Sequence, residues 1–257
     1  MSAGENLFEA PRPITFPPLF SGQDLGDGMH DPFAHACARA ALGCDAGLIV
    51  HAIGADMLRA AIVFAPEEAL ESALAVLPAC GVGFQNALGA LAPPEVAVHL
   101  TWDGTIRVNG GRCGRLRVAA DTDEATQVPG WLVVGLELRL LPATEDDPGH
   151  TPDETALYLE GCSDVAPARL LEAWARHVLV WVNRLETGER AALHEQWRGL
   201  VEEIGHDIEQ RIAGRPARGR FVGVDEHFNM LLRAGDETRA LALAALLEND
   251  IGKDSRR

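Results

Sequence analysis

Leu100-Thr-Trp-Asp-Gly-Thr-Ile-Arg-Val-Asn-Gly-Gly-Arg-Cys-Gly-Arg-Leu116, followed further along by Trp131-Leu-Val-Val-Gly-Leu-Glu-Leu-Arg139, are the stretches that decide the fold. Asp103-Gly104 and Asn109-Gly110 are tight-turn signals, so Glu95 to Trp102, Thr105 to Val108 and Arg112 to Ala119 read as three strands of a meander. In the first strand Val96, Val98, Leu100 and Trp102 share one face, with His99 and Thr101 on the other. Trp131 to Leu141 is the longest strand, with Leu132, Val134, Leu136, Leu138 and Leu140 toward a core. Its second face carries Val133, Gly135, Glu137 and Arg139, so a charged pair sits beside a glycine there.

On the N-terminal side, a proline-rich lead reaches Phe20, and Asp31-Pro-Phe33 then opens a helix running to Leu42, with aspartate as N-cap and proline at the first helical position. Leu48 to Ile53 and Leu58 to Phe64 form a hairpin around Gly54-Ala-Asp56. Pro66-Glu-Glu68 is expected to start a second helix, which Gly81 to Gly83 breaks before another runs toward Leu91.

On the C-terminal side, an acidic, proline-bearing loop spans Pro142 to Asp153. Val165 to Leu185 is an amphipathic helix containing Trp174, His177 and Trp181, and a further helix is expected over 189–212. Gly214 to Arg218 reads as a boundary, after which Phe221 to Asp225 and Met230 to Arg233 are strands of a small β module. The organisation expected is a lead over 1–20, a large unit over 21–213, a β-rich module over 214–250 and a tail over 251–257. The fold class is α+β, a mixed or antiparallel sheet backed by helices with a small C-terminal β module.

Composition narrows the function classes. A formal net charge of −16 and a pI near 4.9 argue against nucleic acid, which needs a concentrated cationic face. No signal-peptide pattern is visible, and apolar runs such as Ala240 to Leu247 are too short to cross a bilayer, so a cytoplasmic protein without a membrane partner is expected. Five scattered cysteines lacking a C-x-x-C pair fit reduced thiols, with at least four as small buried hydrophobes, and neither a disulfide framework nor a metal site. Of 22 basic residues 21 are arginine, and the one lysine is Lys253, in the tail. Chemistry that needs a lysine in a folded site is therefore excluded.

In order and spacing, Pro93 to Leu140 resembles the catalytic domain of biotin protein ligases, within the biotin/lipoate protein ligase superfamily. There a strand ending in K-W-P-N-D is followed by V-N-G, by a lysine before A-G-I-L and by a strand reading V-V-G-I-G-I-N. Ala65-Pro-Glu, Thr155-Ala-Leu with Glu160-Gly161, and Gly219-Arg-Phe-Val-Gly-Val-Asp225 extend the likeness over most of the chain from Phe20 to Leu247. The resemblance implies ATP and biotin or lipoate as ligands, an acyl-adenylate intermediate and a carrier-domain protein as acceptor.

The chemical residues depart from that pattern. His51 to Ala60, where a phosphate-cradling loop should lie, offers one glycine, one arginine and one acid. Thr101 replaces the first lysine, Trp102 is kept, and Arg112 or Gly111 stands where the second lysine is expected. Arg112 is either a bidentate ligand contact or a solvated strand arginine. Glu137 and Arg139 replace the family's second glycine and its asparagine; Glu137 either fills a disused pocket by pairing with Arg139, Arg112 or Arg117, or reshapes the pocket for another ligand. Cys113 is either an acyl-accepting nucleophile, as in some relatives, or an inert strand cysteine.

The catalytic residues are thus unassigned beyond Arg112 and Cys113, and the expected ligand contacts are Trp102, Asn109, Arg112, Gly135, Glu137 and Arg139. The leading reading is a protein that binds a small carboxylic acid or acyl-adenylate with weak, altered or absent ligase activity. The alternatives are a non-catalytic partner-binding module and a Cys113-dependent acyltransferase.

Overall fold

The first helix forms as its cap dictates: the Asp31 carboxylate accepts the Phe33 N–H at 3.0 Å, and Pro32 opens helix α1, Pro32–Ala41. In this computed structural model, residues 13–27, 30–142, 153–212 and 214–248 are described. Most of the proline-rich lead, the interior of the acidic loop and Lys253 lie outside the described residues.

Seven strands make the large sheet: β1 (Ser21–Asp24), β2 (Leu48–Ile53), β3 (Met57–Phe64), β4 (Val98–Leu100), β5 (Thr105–Val108), β6 (Gly111–Ala120) and β7 (Leu132–Arg139). Their order is β1-β2-β3-β7-β6-β5-β4, with β1 parallel to β2 and the remaining pairs antiparallel. The Asn109-Gly110 turn between β5 and β6 has φ of 49° and 88°, the paired positive values a two-residue hairpin requires. β4 is shorter than the strand expected over 95–102; Trp102, though of the right parity to share its face, lies beyond its end.

Helices cover both faces. α1 buries Phe33, Ala36, Cys37 and Ala40, at helical spacing, against Val50, Ala61, Ala119 and Val133 of the sheet. The opposite face carries α2 (Leu70–Ala73), α3 (Val76–Gly89), α4 (Pro167–Glu186) and α5 (Arg190–Leu200). Here Trp174 Nε1 donates to Cys80 O at 3.0 Å, and Trp181 Nε1 to Asn86 Oδ1 at 3.0 Å, tying α4 to α3. Both tryptophans therefore bury their rings with the polar atom satisfied.

Two helix expectations are corrected. The second helix starts at Leu70, not at Pro66, because the Leu70 and Glu71 N–H groups find Gln127 O and Ala125 O in the β6–β7 loop. Gly81 and Gly83 do not break α3; they let it approach its neighbours closely. A Cβ at Gly81 would come within 2.8 Å of Leu100 Cδ1, and one at Gly83 within 3.0 Å of Val178 Cγ2. The Leu70–Gly89 stretch is long and apolar enough to span a bilayer, yet its most apolar 18-residue window is 78% buried inside this fold.

The helix expected over 189–212 is also corrected. α5 ends at Leu200, and Asp207–Ile212 is strand β8 of a second, antiparallel sheet with β9 (Arg215–Val224), β10 (Met230–Ala234) and β11 (Glu237–Leu241). That sheet thus begins ahead of the boundary expected at 214, and Gly214, with φ 74°, lies in the turn between β8 and β9. It docks through Phe228: Trp102 Nε1 donates to Phe228 O at 2.8 Å, and the Trp197 ring meets the Phe228 ring edge-on at 5.7 Å. One continuous core runs from the large sheet into the small one. The architecture is the α+β one expected, a mixed sheet backed by helices with a small β sheet behind.

Candidate functional site

β6 and β7 run antiparallel with Arg115 opposite Glu137 and Arg117 opposite Gly135, so the charged faces of the two strands coincide. A bulge lies just before this point, where β6 carries Cys113 as an extra residue against Ile106 and Arg107 of β5. A cavity of about 430 Å³ opens there, with Arg112, Arg115, Arg117 and Arg139 in its wall beside Asp103, Glu137, Glu154 and Glu248. Arginine forks of this kind suit carboxylate or phosphate oxygens.

Most of this charge is already matched. Glu137 accepts from Arg115 Nε at 2.7 Å and from Arg117 Nη1 at 2.9 Å. Burial works to raise the Glu137 pKa, but the two guanidinium groups outweigh it and hold the carboxyl below its ordinary range. Arg117 also meets Asp31 at 3.0 Å and Glu248 at 2.7 Å, and its guanidinium stacks 4.2 Å from the Phe33 ring centroid. Burial alone would lower the Arg117 pKa; the hydrogen bond and charge of Glu248, then those of Asp31, raise it instead. Arg139 lies 3.8 Å from Glu154, which is carried past β6 by hydrogen bonds from Arg112 N to Asp153 O and from Thr155 N to Arg112 O. The Arg112 side chain is exposed.

Three of the six expected ligand contacts, Arg112, Glu137 and Arg139, meet in this cavity, and Cys113 lies in its wall. The other three do not line it. Trp102 is 1% exposed and joins the two sheets. Asn109 holds the β5–β6 turn, its Oδ1 accepting from Ala97 N and its Nδ2 donating to Glu160 Oε2, both at 2.9 Å. The space beside Gly135 is filled: a Cβ there would sit 2.6 Å from the Phe33 ring. The room that a glycine could leave for a ligand is occupied by the first helix.

Cys113 is buried, its thiol directed at Arg139 O at 3.5 Å, and burial pushes its pKa up to about 12. That is the opposite of an activated thiolate. The His51–Ala60 stretch is a plain hairpin closed by Gly54 N donating to Met57 O at 2.9 Å, and Met57 reaches the cavity edge.

Glu248, Arg115 and Asp31 were not among the expected site residues. Arg115 could have been found from its two-residue spacing to Arg117 on one strand face. Glu248 reaches Arg117 from 131 residues away and carries no local signal.

Residues 16–199 match the model of the biotin/lipoate A/B protein ligase family. The chain is 58% identical to a biotin protein ligase-like protein of unknown function from Silicibacter sp. TM1040, with a TM-score of 0.84 over 91% of this chain and 99% of that one. It also resembles the biotin protein ligase of Aquifex aeolicus crystallised with biotin and ATP, at 13% identity and a TM-score of 0.66, over 86% and 95% of the two chains. That likeness is one of fold. In sequence, 176 residues, 67% of this chain, are 23% identical to the biotin–[acetyl-CoA-carboxylase] ligase of Paracoccus denitrificans, covering 72% of that ligase.

Proposed function

The chain belongs to the biotin/lipoate A/B protein ligase family, and on that premise we propose that it binds a biotin- or lipoate-type acyl acid, or its acyl-adenylate, without ligating it at a true ligase's rate. The observation that carries this reading is the convergence of Arg112, Arg115, Arg117 and Arg139 on one cavity of a chain whose one lysine is Lys253. Guanidinium forks can hold a carboxylate or phosphate, whereas a lysine placed to offset charge building up in an acyl-adenylate transition state has no counterpart among them. In this reading Arg112 and Arg139 act as ligand contacts, Arg115 positions Glu137, and Glu137 sets how deep a ligand enters. A carrier-domain protein is the corresponding partner, by analogy with the carboxylase named for the Paracoccus relative. A cytoplasmic setting goes with that proposal.

The filling of the space beside Gly135 by Phe33, together with the double pairing of Glu137, favours a second reading, a non-catalytic module that meets a protein partner on the same fold. The test is a transfer assay with labelled biotin, lipoate or octanoate, ATP, magnesium and an apo carrier domain, run beside a lysine-bearing ligase, with thermal unfolding measured in the same ligands. Stabilisation by ligand without transfer supports the proposal. Transfer at the control's rate overturns its inactive half, and neither effect supports the module reading.

A further inference from the structure

The last described segment of the chain crosses the cavity. A 3₁₀ turn, Leu243–Leu246, is anchored by buried Leu243; Leu247 then bridges Val118 of β6 in parallel, and the Glu248 N–H donates to Val118 O at 2.8 Å. Leu246 and Glu248 thereby become part of the cavity wall.

Glu248 takes one edge of the Arg117 guanidinium as a free anion would. Arg117 Nε donates to Oε1 and Oε2, each at 3.1 Å, and Nη2 donates to Oε2 at 2.7 Å. This is the forked contact that a carboxylate or a phosphate makes with arginine. Arg117 is also over-supplied with acid. Its Nη1 meets Asp31 at 3.0 Å and Glu137 at 2.9 Å, so withdrawal of Glu248 leaves the cation paired and in contact with Phe33. The Glu248 side chain is 37% exposed against 11% for Arg117, so the acid is the partner nearer to solvent and the cation the fixed part.

We infer that the Nε–Nη2 edge of Arg117 is an anion subsite, occupied here by the chain's own Glu248, and that a ligand carboxylate or phosphate displaces the 243–248 strap when it binds. This rests on the reading that the cavity is the ligand site. The strap then competes with ligand, and the apparent affinity falls in proportion to the fraction of molecules with the strap released.

The test measures amide hydrogen exchange of Ala245, Leu247 and Glu248 in the whole wild-type chain, with and without inorganic phosphate, octanoate and a non-hydrolysable octanoyl-adenylate. Affinities are measured for the wild type and for Glu248→Gln. The expected result is faster strap exchange on saturation, with phosphate or octanoate bound about tenfold more tightly by Glu248→Gln. A gain for phosphate alone assigns the subsite to phosphate, and one for octanoate alone to carboxylate. Unchanged or slower exchange overturns the inference even if the variant binds more tightly, because loss of one negative charge by itself favours an anion. Equal affinities, or no binding to either protein, overturn it as well. Octanoyl-adenylate binding without strap release leaves the proposed function standing and removes the strap. Phosphate-driven release without octanoyl-adenylate binding does the reverse.

Discussion

Arg117 Nη1 and Glu137 Oε1 lie 2.9 Å apart between neighbouring strands, and Arg115 holds the other oxygen of the same carboxylate at 2.7 Å. The Glu137 side chain is 19% exposed, and removing its charge takes the acceptor shared by two guanidinium groups, although Asp31 and Glu248 keep Arg117 paired. Glu137→Gln is expected to cost about 1–3 kcal/mol of stability, read from urea unfolding. A change within ±0.5 kcal/mol, about what a surface site gives, would contradict the pairing.

The same carboxylate gives stability a defined pH dependence. The folded-state pKa of Glu137 is depressed, so its contribution is fully present above the unfolded value, about 4.3, and is lost as pH falls through the folded value. The gap in Tm between wild type and Glu137→Gln is therefore expected to stay constant from pH 7 to about pH 5 and to shrink below about pH 4. A gap that persists unchanged to pH 3 would show that the ion pairs do not supply it.

Much of the fold was legible in local patterns, because its strands and first helix are set by signals a few residues long: Asn109-Gly110 as a turn, Asp31-Pro32 as a helix start, and the alternation from Leu132 to Leu138. The misread segments are those in which tertiary contacts overrode local preference. Gly81 and Gly83 look like helix breakers but serve close packing, and Asp207–Ile212 follows a helix closely enough to be taken for its continuation. The site was half legible. Glu137 and Arg139 follow from strand parity and Arg112 from the lysine position of the resembled motif, whereas the bulge at Cys113, Phe33 filling the space at Gly135 and Glu248 reaching Arg117 depend on tertiary contacts.

Gly135→Ala tests whether that space is truly full. The added Cβ would lie 2.6 Å from Phe33 Cδ2 and 3.3 Å from Phe33 Cβ, so α1 or the ring must move. Overpacking of this kind costs about 1–3 kcal/mol, measurable by chemical unfolding. An unchanged or raised stability would mean that room for a ligand remains beside Gly135.

Cys113 is expected to stay unmodified when the native protein is treated with iodoacetamide or with an octanoyl thioester and mapped by peptide mass spectrometry. Its burial and a pKa of about 12 leave almost no thiolate at neutral pH. Half-buried Cys44 is the more accessible thiol. An acyl adduct on Cys113 that disappears in Cys113→Ala would restore the acyltransferase reading.

The most direct measurement is calorimetric titration of the protein with non-hydrolysable biotinyl-, lipoyl- and octanoyl-adenylate analogues, with a lysine-bearing ligase as control. Binding of at least one analogue near the micromolar level, about −8 kcal/mol, is the expected result for an arginine-lined cavity that still takes an acyl-adenylate. No heat with any analogue, while the control binds, would contradict it and leave the fold as a scaffold for a protein partner.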